Sequence, residues 1–285
     1  MITIKNTITR IFLNLMKNIS LFLSPKSRYW FGILIGSLFF KVIKKRKKHA
    51  YSELKKSFPK KSNSEILKIL KKTHIHFGQM FIDAISTIKI VKNEDIKILN
   101  ADILNKLKSK NEGFILLTAH IGNWEIIPVW LSENNFKIKT VTKNQKNKGA
   151  QFFFQNLRKK NGVNPVSIHY PTHEMIKSIK NGDVLILASD QDAGKKGEFI
   201  NFFGRPASTP RGASVFYEKT KCEIIAAFCI KEKLKYSIEF VKIKPNNQYP
   251  SIMFQFTELL EKKVREYPNQ YFWFHKRWKT KNDNY

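Results

Sequence analysis

The sequence predicts an α/β fold, a mixed sheet flanked by helices, with a hydrophobic, membrane-anchoring helical segment at the amino terminus. Three observations predict it. Between residues 113 and 267, short apolar runs bounded by turn residues alternate with stretches of helical periodicity, the pattern of strands and helices that share one sheet. Residues 11–43 are the most apolar part of the chain, and residues 41–48 (KVIKKRKK) are basic at six of eight positions. The 285 residues are 42% hydrophobic with 23 Phe, ample for a core and too apolar for a disordered chain. With no repeat and no Pro- or Gly-rich linker, the division expected is a membrane-associating segment over 1–48 and one larger domain over 49–285.

The elements follow in order. The charge-free run from Tyr29 to Phe40 has twelve residues. As a helix it reaches about 18 Å, short of the roughly 30 Å hydrocarbon core. Two readings stand: a membrane-embedded or interfacial anchor with Tyr29 and Trp30 at the headgroups, or a hydrophobic helix packed on a soluble core. The basic run beside it favours the anchor, because polybasic segments are drawn to anionic headgroups on the cytoplasmic side. Residues 50–92 read as helical, and Ser62 with Glu65 has capping-box spacing, so a helix starts there. GFILLTAH (113–120) is a buried strand, followed by a helix to about Glu133. FKIKTVTK (136–143) alternates as a strand; 147–161 is a helix stopped at Asn161-Gly162. NPVSIHY (164–170) is a strand, 172–182 a helix, and DVLILASD (183–190) a second buried strand. Thr209-Pro210 opens a helix to about Lys221; strands at 222–230 and 236–243 and a helix from about Ser251 to Tyr267 complete the series.

Charge and cysteine content narrow the function. There are 52 Lys and Arg against 22 Asp and Glu, a formal charge of +30, which implies an anionic partner. Only Cys222 and Cys229 are present, too few for a disulfide scaffold or a four-cysteine zinc site. Seven apart on one expected strand, they are read as reduced core cysteines on opposite faces of it.

Ligands of such sheets bind at the carboxyl ends of the strands. Two titratable residues, His120 and Asp190, end predicted buried strands. His120 is followed by Gly122, which permits a tight turn, and by Glu125 in the first turn of the next helix. A carboxylate that accepts from one ring nitrogen leaves the other to take a proton, and Glu125 is expected in that role. The bland alternative is a structural His with a Glu favourable at a helix N-terminus. No G-x-S-x-G elbow occurs, so a base here activates a hydroxyl brought by the substrate.

The stretch LLTAHIGNWEI (116–126) resembles the His-x4-acid motif of the lysophospholipid and glycerolipid acyltransferase superfamily. Its Gly-Asn-Trp-Glu form resembles the bacterial lipid A late acyltransferases, the lauroyl and myristoyl transferases. Three further blocks agree in order: Arg158 followed by Gly162; 188–214, with Asp190-Gln191, Phe-Phe-Gly and Thr-Pro; and YPNQYFWFHKRWKT (267–280). KKSFP (55–59) also resembles the family's entry region. The resemblance implies transfer of an acyl chain from a thioester, on acyl carrier protein or coenzyme A, to a hydroxyl of a lipid A precursor. It implies an inner-membrane enzyme with its site on the cytoplasmic side and no cofactor. His120 is then the base and Glu125 its partner. Arg158 or backbone N–H groups after His120 stabilise the oxyanion. Asn123, Asp190 and Gln191 shape the site, with an N-cap or salt bridge as the alternative for Asp190. Gly204 sets the Phe-Phe-Gly turn, and Arg205 and Arg211 suit phosphates or are solvated surface.

Phe152, Phe153, Phe154, Phe202 and Phe203 are read as core or as an acyl channel. The other histidines are assigned no chemistry; for His275 packing or headgroup contact is expected. Besides a non-catalytic family member that only binds lipid, which the intact His120–Glu125 pair disfavours, two rival readings remain. One is acylation of another lipid: a lysophospholipid, a glycolipid or an ornithine lipid. The other is a basic nucleic-acid-binding protein; no readable module supports it, so nucleic acid is not the expected partner.

Overall fold

A computed structural model of the chain describes residues 3–244 and 251–281. It opens with a helical layer: α1 (Ile4–Phe22), α2 (Pro25–Val42), α3 (Lys44–Ser57), α4 (Asn63–Ala84) and α5 (Thr87–Asn93). Ser24 caps α2 by accepting from the Ser27 N–H, with Pro25 in the first turn, where its missing donor costs nothing. The capping box expected at Ser62 and Glu65 starts α4. Helices α2 and α4 touch backbone to backbone through Gly32, Gly36 and Gly78; a Cβ on Gly36 would lie 2.4 Å from the His74 carbonyl oxygen. Small residues therefore face inward on α2, and Trp30, Leu34, Leu38 and Val42 face outward, each more than half exposed. On α1, Ile4, Ile8, Ile11 and Leu15 form a similar outward row. No helix among the described residues is long and apolar enough to cross a membrane. The amino-terminal apolar run is divided between two helices, with Pro25 at the start of the second.

The remaining elements are β1 (Ile96–Leu99), α6 (Asp102–Ser109), β2 (Phe114–Thr118), α7 (Ile126–Glu133), β3 (Ile138–Thr142), α8 (Lys148–Lys160), β4 (Val163–Ser167), α9 (Thr172–Lys180), β5 (Val184–Ala188), β6 (Glu198–Phe202), β7 (Arg205–Thr209), α10 (Gly212–Thr220), β8 (Ile224–Glu232), β9 (Lys235–Ile243) and α11 (Ile252–Glu266). Seven strands form one sheet in the order β1-β9-β8-β2-β5-β3-β4. Five run parallel, from β8 to β4; β9 is antiparallel to β8 and parallel to β1. The mixed α/β architecture is as expected. The hairpin β6–β7, a separate two-stranded sheet, and β1 with α6 are additions to the sequence reading; none is longer than eight residues. Cys222 precedes β8 rather than lying on it. Both cysteines are free.

Alternate side chains of the central strands enter two cores. Ile115, Leu117, Leu185 and Leu187 pack with α9, α10 and α11 on one face. Phe114, Leu116, Val184 and Ile186 pack with α6 and α7 on the other. Strand β2 is buried along its whole length, the signature of a parallel strand covered on both faces. The carboxyl ends of β2 and β5 thus emerge from the middle of the sheet, held by packing on either side.

Candidate active site

Strands β2 and β5 are parallel neighbours with Thr118 opposite Ala188. The residues two steps beyond, His120 and Asp190, therefore leave the sheet side by side. The Ser189 N–H donates to the Thr118 carbonyl at 2.9 Å and extends the ladder into the loops. His120 Nδ1 lies 2.7 Å from Asp190 Oδ1. The imidazole donates from Nδ1, which leaves Nε2 as the basic nitrogen. Asp190 is 3% exposed and His120 22%, so the pair is buried at the carboxylate and open at the base.

The carboxylate on the imidazole is thus Asp190, and the role expected for Glu125 is corrected. Glu125 pairs with Arg158: Arg158 Nε donates to Glu125 Oε2 at 3.0 Å, and Nη2 donates to Oε1. Glu125 precedes α7 and Arg158 sits in the last turn of α8. Their bidentate match leaves Arg158 Nη1 without a hydrogen bond among the described residues. Burial works against the His120 imidazolium, yet Asp190's charge and hydrogen bond, with help from Glu125, outweigh it and raise the His120 pKa. Burial likewise opposes ionised Asp190 and Glu125, but His120 and Arg158 respectively hold them below the usual carboxylate range.

The loop from β2 to α7 fixes the geometry. Gly122 has φ +63°, and a Cβ there would lie 1.8 Å from the Cys229 carbonyl oxygen, so only glycine fits this turn. The N–H groups of Ile121, Gly122 and Asn123 donate to Ala119, Gln270 and Cys229. Three of the N–H groups expected as an alternative oxyanion site are thus engaged; those of Trp124 and Glu125, next along the loop, are not among them. The carboxyl-terminal segment then clamps the loop, with the Phe272 N–H donating to the His120 carbonyl at 2.9 Å.

The other expected residues separate. Gln191 Nε2 lies 3.4–3.5 Å from both ring nitrogens of His120, beside the base. Asn123 is 1% exposed, and neither amide atom of its side chain has a hydrogen-bond partner among the described residues. Gly204 follows Phe203 in the β6–β7 turn with φ +69° and offers no side chain to a ligand. Arg205 is corrected as a free phosphate donor: it donates to Glu53 Oε2 at 2.8 Å and to Ser57 Oγ at 3.0 Å, and it stacks 3.6 Å from the Trp278 ring centroid. Arg211 is exposed before α10.

Two aromatics at the imidazole escaped the sequence reading. The Trp124 ring centroid lies 4.8 Å edge-on from that of His120, and Phe272 lies 6.2 Å away. Trp124 sits inside the recognised motif, the one signal that would have found it. Phe153, Phe202 and Phe203 are core residues, and Phe152 is half exposed. His275 Nε2 accepts the Asp192 N–H at 3.1 Å.

A family model described as bacterial lipid A biosynthesis acyltransferase matches residues 4–280. The chain is 24% identical to a lipid A biosynthesis palmitoleoyltransferase of Escherichia coli (strain K12), covering 88% of this chain and 84% of the relative. It is 23% identical to a lipid A biosynthesis acyltransferase 2 of Shigella flexneri, over 88% and 83%. It is also 23% identical to a phosphatidylinositol mannoside acyltransferase of Mycobacterium tuberculosis (strain CDC 1551 / Oshkosh) over 50% of this chain, and spans about half (46%) of that relative's length.

Proposed function

The chain belongs to the bacterial lipid A biosynthesis acyltransferase family, and on that premise we propose that it moves a fatty acyl chain from a thioester to a hydroxyl of a lipid A precursor. The donor is acyl carrier protein or coenzyme A. The observation that carries the reading is the buried Asp190 on His120 Nδ1, which leaves Nε2 partly exposed and basic.

In this mechanism His120 Nε2 takes the proton of the acceptor hydroxyl as its oxygen bonds to the thioester carbonyl carbon. The carbonyl electron pair moves onto oxygen, and Arg158, steadied by Glu125, faces that charge with its unspent Nη1. A preorganised donor of this kind contributes about 3–4 kcal/mol. The tetrahedral centre collapses, the carbon–sulfur bond breaks, and the imidazolium returns its proton to the leaving sulfur. Ester and free thiol result. Asp190 stays ionised throughout and stabilises the imidazolium. Gln191, Trp124 and Phe272 border the reacting groups.

The outward rows of α1 and α2 support membrane association at the interface rather than a span, since they give each helix one apolar side. The inner membrane, with the site facing the cytoplasm, is the location this implies.

The test is mass spectrometry of lipid A from a host that lacks its own late acyltransferase, with wild type beside His120→Ala. The expected result is a gain of one acyl group that the variant lacks. A folded, membrane-bound wild type that adds nothing would remove the lipid A acceptor. The half-length similarity to a phosphatidylinositol mannoside acyltransferase then favours another glycolipid acceptor, the second reading.

A further inference from the structure

A cleft of about 1160 Å³ opens on the Asp192 side of the His120–Asp190 pair. Three separate segments line it with lysines: α3 supplies Lys45 and Lys48, the β3–α8 connection Lys143 and Lys146, and the carboxyl-terminal segment Lys276 and Lys279. All six are exposed. None has a carboxylate within 4.0 Å among the described residues. The single carboxylate in the lining, Asp192, is already spent: the Thr280 N–H and O–H both donate to it at 3.0 Å, and Gly194 N–H at 3.3 Å.

The basic run 41–48 is therefore not one uniform surface. Lys47 turns back to the Phe40 carbonyl at 2.9 Å, and Arg46 ties the Phe274 carbonyl at 2.9 Å. Arg46 lines the cleft with that tie made, and Lys45 and Lys48 stand in it with their ammonium groups unpaired among the described residues. Six like charges brought together from three segments repel one another unless an anion sits among them. Lysine ammonium groups are point-charge partners for phosphate.

The shape and surroundings select the occupant. The cleft is concave and slightly larger than a typical small-molecule site, so it suits a multi-ring headgroup better than the face of a folded protein. The outward row of α2 ends at Val42, and α3 begins at Lys44. A lipid lying along the apolar row would present its headgroup at the lysines, and the cleft reaches toward the imidazole pair through Asp192, two residues after Asp190, and His275.

We propose that this cleft holds the phosphate groups of the acceptor lipid's sugar headgroup and so sets the hydroxyl against His120; the proposal rests on the acyl-transfer reading above. The site reads phosphates on the acceptor, and the thioester approaches from elsewhere.

The test compares full-length wild type with Lys45→Gln/Lys48→Gln/Lys276→Gln/Lys279→Gln. A control, Lys106→Gln/Lys110→Gln/Lys177→Gln/Lys180→Gln, loses the same charge on exposed positions of α6, α9 and the turn after α6. Each protein is sedimented with phosphatidylcholine vesicles that carry a tetraacylated glucosamine disaccharide bearing two phosphates, or the same lipid after phosphatase treatment. Wild type and control are expected to favour the phosphorylated vesicles by about tenfold or more. The cleft variant is expected to lose that preference. In turnover assays its acceptor KM should rise by a similar factor while the KM for acyl carrier protein thioester stays within about twofold.

Five results overturn the proposal. If the cleft variant keeps its preference, or if the control loses as much, the cleft is not a phosphate site. A rise in donor KM instead would make the cleft a carrier-protein dock. An equal loss of binding to phosphatidylglycerol vesicles would make it a general membrane contact. The vesicle measurement needs no turnover. A wild type that acylates the lipid without preferring its phosphates sinks this proposal alone, and a wild type that acylates no lipid A precursor sinks the acyl-transfer reading.

Discussion

Two buried charge clusters lie in this molecule, and they end differently. In the first, Asp83 of α4 receives Lys231 Nζ of β8 and Tyr236 Oη of β9 and lies 3.5 Å from Arg28 Nε of α2. Arg28 also pairs with Glu94 after α5. Arg28, Asp83 and Lys231 are 2%, 3% and 7% exposed; the network points inward and joins the amino-terminal layer to the sheet. In the second, the pairs His120–Asp190 and Glu125–Arg158 stop short: Asp190 is buried, but Glu125 is 15% exposed. His120 is 22% exposed and Arg158 18%, and each keeps a nitrogen unspent. The difference teaches that burial and pairing alone do not mark chemistry. A base or donor held firmly at one end and free at the other does.

The comparison breaks first at Asp190. Asp190→Asn is expected to lower kcat by about 10³–10⁴-fold, the scale seen when a carboxylate behind a catalytic imidazole is replaced. The pH profile carries the sign. Only neutral His120 accepts a proton, so activity falls as pH drops through its pKa, which Asp190 raises. The acid limb of kcat/KM therefore lies above the ordinary imidazole value in wild type and moves to lower pH in the variant. An unmoved limb would show that Asp190 does not act through His120.

At the inward cluster, Asp83→Ala leaves Arg28 and Lys231 without their shared carboxylate. A loss of about 3–5 kcal/mol in urea unfolding is expected, with kcat of the folded fraction within about twofold of wild type. A collapse of kcat at full stability would erase the distinction between the two regions.

Arg158→Lys keeps a charge beside Glu125 but loses the planar fork. A fall of about 100-fold in kcat with little change in acceptor KM is expected. Equal effects on KM and on stability would make Arg158 a structural partner only. Gln191→Ala sharpens the comparison least. Its contacts to the ring are long, and steady-state kinetics should show a loss below about tenfold.

Much of the site was legible in the sequence because its signals are local. His120 and Asp190 were both found at the ends of apolar runs, and the capping box at Ser62 appeared as read. The assignment of Glu125 to the imidazole followed sequence proximity, five residues along the same loop. The true partner stands 70 residues away. Nothing in either strand's composition states that β2 and β5 are neighbours, since parallel strands need a crossover and their order is set by how the helices pack. Arg205 was misread for a similar reason: its partners Glu53 and Ser57 come from α3, about 150 residues earlier in the chain. The amino-terminal run showed its apolar content in sequence, but not that Gly32, Gly36 and Gly78 would press α2 onto α4 and turn its large side chains outward.

The sequence by itself determined the alternation of strands and helices, the glycine turn behind His120, the strong positive charge and the residues able to do acid–base work. Each depends on spacing along the chain: a period of two or of 3.6, a cap, a φ that only glycine adopts easily. Tertiary structure alone decided which carboxylate meets the imidazole, which arginine is spent on a neighbour, and which lysines of three segments face one cleft. Those outcomes depend on strand order and register. A register of Thr118 against Ala188 sets His120 beside Asp190 because two parallel strands that leave a sheet in step carry the next residues with them.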